Sequence, residues 1–176
     1  MTMASVTDPT EPELDPRDRD EMRRRVFIAL IGLFALIVGV LVYLTDRAPH
    51  ASALPSLRVA APGVFGMLGL WLPSFVHPLA FGLFTAAVLP PRPALQYAAC
   101  AFWCCIDVAF ELGQHPIVSA QLASAIDQTL GSLQFAARLA NYFRLGTFDW
   151  GDIGAAMLGG LTAAVVVRLT SRGRQR

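Results

Sequence analysis

Glu111 and Gln114 close one apolar stretch of this sequence, and Asp149 and Asp152 open another. Ionisable groups at bilayer depth are costly and are held only where they pair or work. The pairs Glu111/Gln114 and Asp149/Asp152 each stand three residues apart, and Asp107/Glu111 four apart, so on helices each pair shares a face. Glu111 with His77 has the chemistry of a general acid/base pair, since partial burial moves the proton affinity of both groups. Gln114, Arg144, Asp149, Asp152 and Asp107 are the candidate ligand-binding groups around them. Arg144 suits a phosphate or carboxylate because its guanidinium donates two parallel hydrogen bonds.

Each residue also has a plainer reading. Carboxylates in the first turn of a helix gain from its N-terminal partial charge, so Asp149 and Asp152 could simply be caps. Glu111 could lock two helices through Arg144 or His77. Asp107 is either a costly functional group or the partner of a neighbouring helix. His77, which precedes Pro78, could be a hydrogen-bonded packing residue, and Arg144 could snorkel to the membrane interface. A divalent metal on Glu111, Asp149, Asp152 and His77 is a further option, with a hard, oxygen-rich set suited to magnesium or manganese.

The elements that must position these groups are membrane helices. The chain is 176 residues long, 55% hydrophobic and only 15% charged, and its apolar residues are gathered into runs. That balance departs from soluble proteins in both directions. Residues 1–22 read as a disordered polar tail rich in Pro, Asp, Glu and Arg. Val26–Leu44 has no charge and the length of a bilayer crossing. Its length also argues against a signal peptide cleaved after Ala51-Ser52-Ala53.

Pro62, Pro73 and Pro78 interrupt the next apolar stretch, which predicts an irregular segment near residues 60–70 and a second helix over 71–89. Pro90-Pro91-Arg92-Pro93 is a turn, and a third helix follows over 94–113. Pro116 biases His115 away from helix and helps to end it. The fourth helix covers 152–169, where Gly154, Gly159 and Gly160 offer surfaces for close packing. The expected fold is therefore an all-α membrane protein, a bundle of four transmembrane helices over residues 23–170, followed by a basic tail at 171–176.

Between the third and fourth helices, Leu122, Ile126, Leu130, Leu133 and Ala137 recur at three- and four-residue steps. This predicts one amphipathic helix lying at the membrane interface. The basic residues are all Arg and cluster at Arg23–Arg25, Arg92 and the C-terminal end, against Arg47, Arg58, Arg138 and Arg144 on the other side. By the positive-inside rule both termini are cytoplasmic, in a multipass inner-membrane topology. His77, Asp107, Glu111, Gln114, Asp149 and Asp152 then all belong to the outer half.

Several function classes drop out. No basic stripe supports nucleic-acid binding, and no Ser or Cys stands in a nucleophile motif. Cys100, Cys104 and Cys105 have no zinc-type spacing and read as small packing residues. No internal repeat suggests a carrier.

His77 early in one spanning helix, Glu111-x-x-Gln114 at the end of the next, and Gly146-x-x-Asp149-x-x-Asp152 opening the last resemble the VanZ-like family of small multipass bacterial membrane proteins. The likeness runs from Pro73 to Val167. It implies a helical membrane protein acting at the cell envelope, with His77, Glu111, Gln114, Asp149 and Asp152 as the positions of interest. The expected function is binding or modifying an envelope lipid or lipid-linked precursor through a polar site at the outer face. The alternative is an accessory subunit, joined to a protein partner or to further copies of itself, in which the polar cluster only locks the helices. The residues leave enzyme and binding protein both open.

Overall fold

The computed structural model describes residues 15–46, 64–133 and 135–172. The reading of residues 1–14 as a tail, the Ala51–Ala53 site, Pro62, and the placement of Arg47 and Arg58 lie outside the described residues. The described residues form six helices: α1 (Pro16–Thr45), α2 (Leu68–Val88), α3 (Pro93–Gly113), α4 (Ser119–Leu130), α5 (Ala136–Leu145) and α6 (Trp150–Arg172). Of these, α1, α2, α3 and α6 are long and apolar enough to cross a membrane.

The first helix begins well before the apolar run that predicted it. Asp15 accepts a hydrogen bond from the backbone N–H of Arg17 at 3.0 Å, and Pro16 occupies the first helical position. That pairing of an N-cap Asp with a proline is a strong helix start, and it overrides the polar composition of residues 16–22. Those residues are helix, not tail.

In the second helix Pro73 and Pro78 are both internal. Residues 64–67 form the turn that leads in, with Gly66 at φ +53°. The helix therefore starts at Leu68, inside the stretch that the prolines marked as irregular. Arg92 N–H bonds the Pro90 carbonyl at 2.6 Å in the turn that follows, and Pro93 opens α3.

The single amphipathic helix expected after α3 is in fact two. Gly131 ends α4 where a side chain at that position would collide with the Asp127 carbonyl, so the chain turns before Leu133. The apolar period read across the break because α4 and α5 fold back on each other. Ala123, Ile126, Ala136, Ala140 and Phe143 form their shared core.

The larger core is centred on α2, which packs on α1, α3 and α6. Ile28 and Ala35 of α1, Val76, Ala80 and Leu83 of α2, Cys100 of α3, and Ala163 and Val167 of α6 are all buried there. Lipid tails are as apolar as these side chains, so in a bilayer close van der Waals fit replaces the hydrophobic effect as the force between helices. Small residues provide the fit. A Cβ on Gly159 would overlap the Phe75 carbonyl, and one on Gly160 would strike Cys104. Gly154 is different, because nothing lies near it. Phe27, Leu30, Phe34 and Ile37 of α1, with Leu158 and Leu161 of α6, are exposed. An outward apolar belt of that kind belongs against lipid.

The end of the helices near Arg24 is closed by polar bonds. Arg24 donates to Gln96 Oε1 at 2.7 Å and to Ser171 Oγ at 2.9 Å, joining α1, α3 and α6. Gln96 is fully buried and donates its own amide to the Ala86 carbonyl of α2 at 2.8 Å. Glu21 lies 3.6 Å from Arg24 and 3.0 Å from Arg25.

Candidate functional site

At the opposite end, the last turns of α3, the first turns of α2 and α6, and the end of α5 surround an open cleft of about 950 Å³. On α2, Trp71, Ser74 and His77 recur every three residues and so project from one side of the helix. On α3, Asp107 and Glu111, four residues apart, share a side, and Gln114, three further on, caps the helix by donating its N–H to the Glu111 carbonyl at 3.0 Å.

Asp149 starts α6. Its side chain accepts from the Gly151 N–H at 2.8 Å, while its own N–H donates to Glu111 Oε1 at 2.6 Å. Its second carboxylate oxygen accepts from the Trp71 indole at 3.2 Å. One turn on, Asp152 accepts from the Ser74 hydroxyl at 2.7 Å.

His77 does not meet Glu111. Its Nδ1 lies 2.5 Å from Asp107 Oδ1, which fixes the ring and leaves Nε2 as the free nitrogen. The ring stands edge-on to Phe81, with centroids 4.6 Å apart, so one wall of the imidazole is apolar. Asp107 Oδ2 is buried and has no hydrogen-bond partner. The partner expected for His77, Glu111, instead accepts from the start of α6, and Asp107 takes its place beside the imidazole.

The cleft lining includes His77, Asp107, Glu111, Gln114 and Asp152. Asp149 sits just outside as the cap that aims α6. Arg144 is elsewhere: it lies 2.5 Å from Asp127 on α4, and both side chains are largely exposed. It ties the α4–α5 pair together and does not line the cleft. His115 is likewise peripheral, accepting from the Ile117 N–H at 3.3 Å and standing against Phe148. Among the described residues no three His, Cys, Asp or Glu side chains converge as a metal site. The four groups expected to share one each meet a protein partner instead: His77 meets Asp107, Glu111 the Asp149 N–H, Asp149 the Gly151 N–H and Asp152 the Ser74 hydroxyl.

Three participants were not singled out in the sequence. Ser74 and Trp71 precede His77 at three-residue steps, a signal that was readable. Tyr142 had no such signal, because it comes from α5. Its hydroxyl accepts from the Gln114 amide at 2.7 Å. Burial pushes the Tyr142 phenol up to about 12, and the negative charge of Glu111 adds to the shift. Gly146, at the end of α5, lies so close to the Gln114 amide that a Cβ there would overlap it. That glycine is what lets the chain pass over the cleft on its way to α6.

Chemically, the arrangement offers an oriented imidazole, carboxylate oxygens with unused lone pairs, and a buried amide, beside an apolar wall of Leu36 and Val40 from α1. No protein-family model, no curated protein and no solved structure matches this chain.

Proposed function

We propose that this chain is a VanZ-like inner-membrane protein whose cleft binds the polar head of an envelope lipid or lipid-linked precursor at the outer face. The observation that carries the reading is the cleft itself, where polar groups from three helices meet an apolar wall. In this reading α1, α2, α3 and α6 form a transmembrane bundle with both ends of the chain in the cytoplasm. The Arg24 end faces inward, as the basic residues require. The α4–α5 pair rests on the outer leaflet, with Ile117, Phe135, Leu145 and Trp150 exposed for contact with it.

The α1 helix packs chiefly on α2, and residues of both α1 and α3 line the cleft. A lipid could enter there from the membrane, its head among the carboxylates and its chain along Leu36 and Val40. Should the bound molecule react, the His77 Nε2 atom, oriented through Asp107, is the group placed to take a proton.

The second reading, a helix lock, is favoured by two bonds: Ser74 to Asp152 joins α2 to α6, and the Asp149 N–H to Glu111 joins α6 to α3. Native mass spectrometry and thermal unfolding of detergent-purified protein separate the two. A lipid retained by the wild type and lost from Glu111→Gln and Asp107→Asn, with melting nearly unchanged, supports binding. No retained lipid, with both variants melting far earlier, leaves only the lock.

A further inference from the structure

The α4 and α5 helices hold together as a body of their own. Ala123, Ile126, Ala136, Ala140 and Phe143 make a core between them that is separate from the core around α2. Arg144 on α5 pairs with Asp127 on α4 at the surface. Neither helix packs broadly against α1, α2, α3 or α6.

The pair joins the long helices along one edge. Gln114 at the end of α3 presses on Gly146 at the end of α5, and His115 stands edge-on to Phe148 with ring centroids 4.8 Å apart. The chain therefore enters α4 and leaves α5 through two connectors that lie side by side. Such connectors can absorb a change of backbone angle while the packed body they carry stays intact, which is how a hinge works.

Beside that edge a small set of contacts holds the pair against α3. Phe143 stacks on Phe110 with centroids 5.6 Å apart, and it covers Gly113 so closely that a Cβ there would overlap the ring. Tyr142 meets Phe110 edge-on at 5.7 Å, and its hydroxyl accepts from the Gln114 amide at 2.7 Å. Aromatic pairs and single hydrogen bonds are modest contacts, and an element held by few of them opens more readily than the cores on either side.

Asn141, Tyr142, Leu145 and Gly146 line the cleft, so any movement of the pair changes the cleft wall. Resting on the reading of that cleft as a lipid site, we propose that α4 and α5 form its lid. The lid is hinged where Gln114 and His115 meet Gly146 and Phe148, latched to Phe110 by Tyr142 and Phe143, and swings as one body to admit and enclose the occupant.

A reporter thiol in the cleft tests this. Ile106, which lines the cleft, is changed to Cys in a chain whose three native cysteines are replaced by Ala. A water-soluble methanethiosulfonate then labels the detergent-purified protein, and the labelling rate reports opening. Tyr142→Phe removes the latch hydrogen bond, and Gly146→Ala forces the Gln114 amide aside. Neither strips a side chain from the cleft wall, so a faster rate means movement. Each should raise the rate about fivefold, the factor set by about 1 kcal/mol, the size of one hydrogen bond. Backbone hydrogen exchange of the same samples should find α4 and α5 as protected as in the unlatched chain's parent.

Unchanged labelling in both variants would overturn the lid and leave α4 and α5 as a fixed cover. Faster labelling with protection lost across α4 and α5 would overturn it too, since the pair would then be melting and not swinging. Lipid retention by native mass spectrometry judges the underlying reading separately. A lid that opens on a protein retaining no lipid would stand, guarding an occupant of another class; retained lipid with unchanged labelling would be a lipid site without a lid.

Discussion

Arg24 and Asp107 are ionisable groups at opposite ends of the same set of helices, and the two ends treat their charges differently. Around Arg24, side chains bond one helix to the next: the guanidinium reaches Gln96 and Ser171 through Nη2, leaving only its buried Nε without a partner, and Gln96 turns its amide onto Ala86. Residues of four helices, α1, α2, α3 and α6, meet there. Around Asp107, a cleft of about 950 Å³ opens among the same helices and α5, and a buried carboxylate oxygen is left without a partner. The lesson is that polarity inside a membrane protein is not one property. Bonds that run from helix to helix fix their relative positions, whereas polar groups that line a cleft keep hydrogen-bonding capacity unused.

If that contrast is right, the largest effect on stability should come from the closed end. Gln96→Leu removes the acceptor of a buried cation and should cost about 3 kcal/mol. Equilibrium unfolding in mixed detergent measures it, and a loss comparable to that of a surface substitution would erase the distinction. Next in size is Gly159→Val, which drives a side chain into the Phe75 carbonyl where α2 meets α6. Overpacking there should cost about 2 kcal/mol. Its control is Gly154→Ala, in open space, which should stabilise the helix by about 0.5 kcal/mol.

At the open end, Glu111→Gln should cost under about 1 kcal/mol, in the range of single polar contacts between membrane helices. It should nevertheless abolish ligand retention. A cost matching that of Gln96→Leu would make both ends locks.

Tyr142 offers an alkaline probe of the same end. Its folded pKa of about 12 lies above the usual phenol value near 10. Between these pH values the unfolded chain loses the proton and the folded one keeps it, so stability should fall as pH rises through that window. The fall should be smaller in Tyr142→Phe, as read from unfolding midpoints across the range. The smallest effect belongs to Asp127→Asn. Breaking an exposed pair with Arg144 should cost at most about 0.5 kcal/mol and leave lipid retention unchanged.

The sequence announced the four long helices through apolar runs bounded by Pro, Gly and Arg, and it put His77, Glu111, Gln114 and Asp152 on one side through helix ends, Arg placement and three-residue spacing. It was less informative where two signals competed. The Asp15–Pro16 cap was hidden by a polar composition, and Gly131 was hidden by a hydrophobic period that continues across the turn it makes. Long-range pairing was the least legible. Nothing in a linear reading separates Asp107 from Glu111 as the partner of His77, because both lie on the same face of α3 one turn apart. Likewise, Arg144 reads as a ligand-binding cation until α4 is seen to bring Asp127 to it. Gln96 drew no notice at all, since an amide near a helix start is ordinary until its burial is known.

The closed end also bears on how the molecule meets membranes of different thickness. The α2 and α3 helices have 21 residues each and span about 31 Å, close to the hydrocarbon thickness of an average bilayer. In a thinner membrane a lone helix of that length would tilt on its own. Here Arg24 and Gln96 bind α1, α2, α3 and α6 at one level, so mismatch must be absorbed by leaning the whole set together or by spreading the end that is not tied. Spreading would move apart the α1 and α3 residues that line the cleft, so local bilayer thickness would bear on the width of the cleft itself.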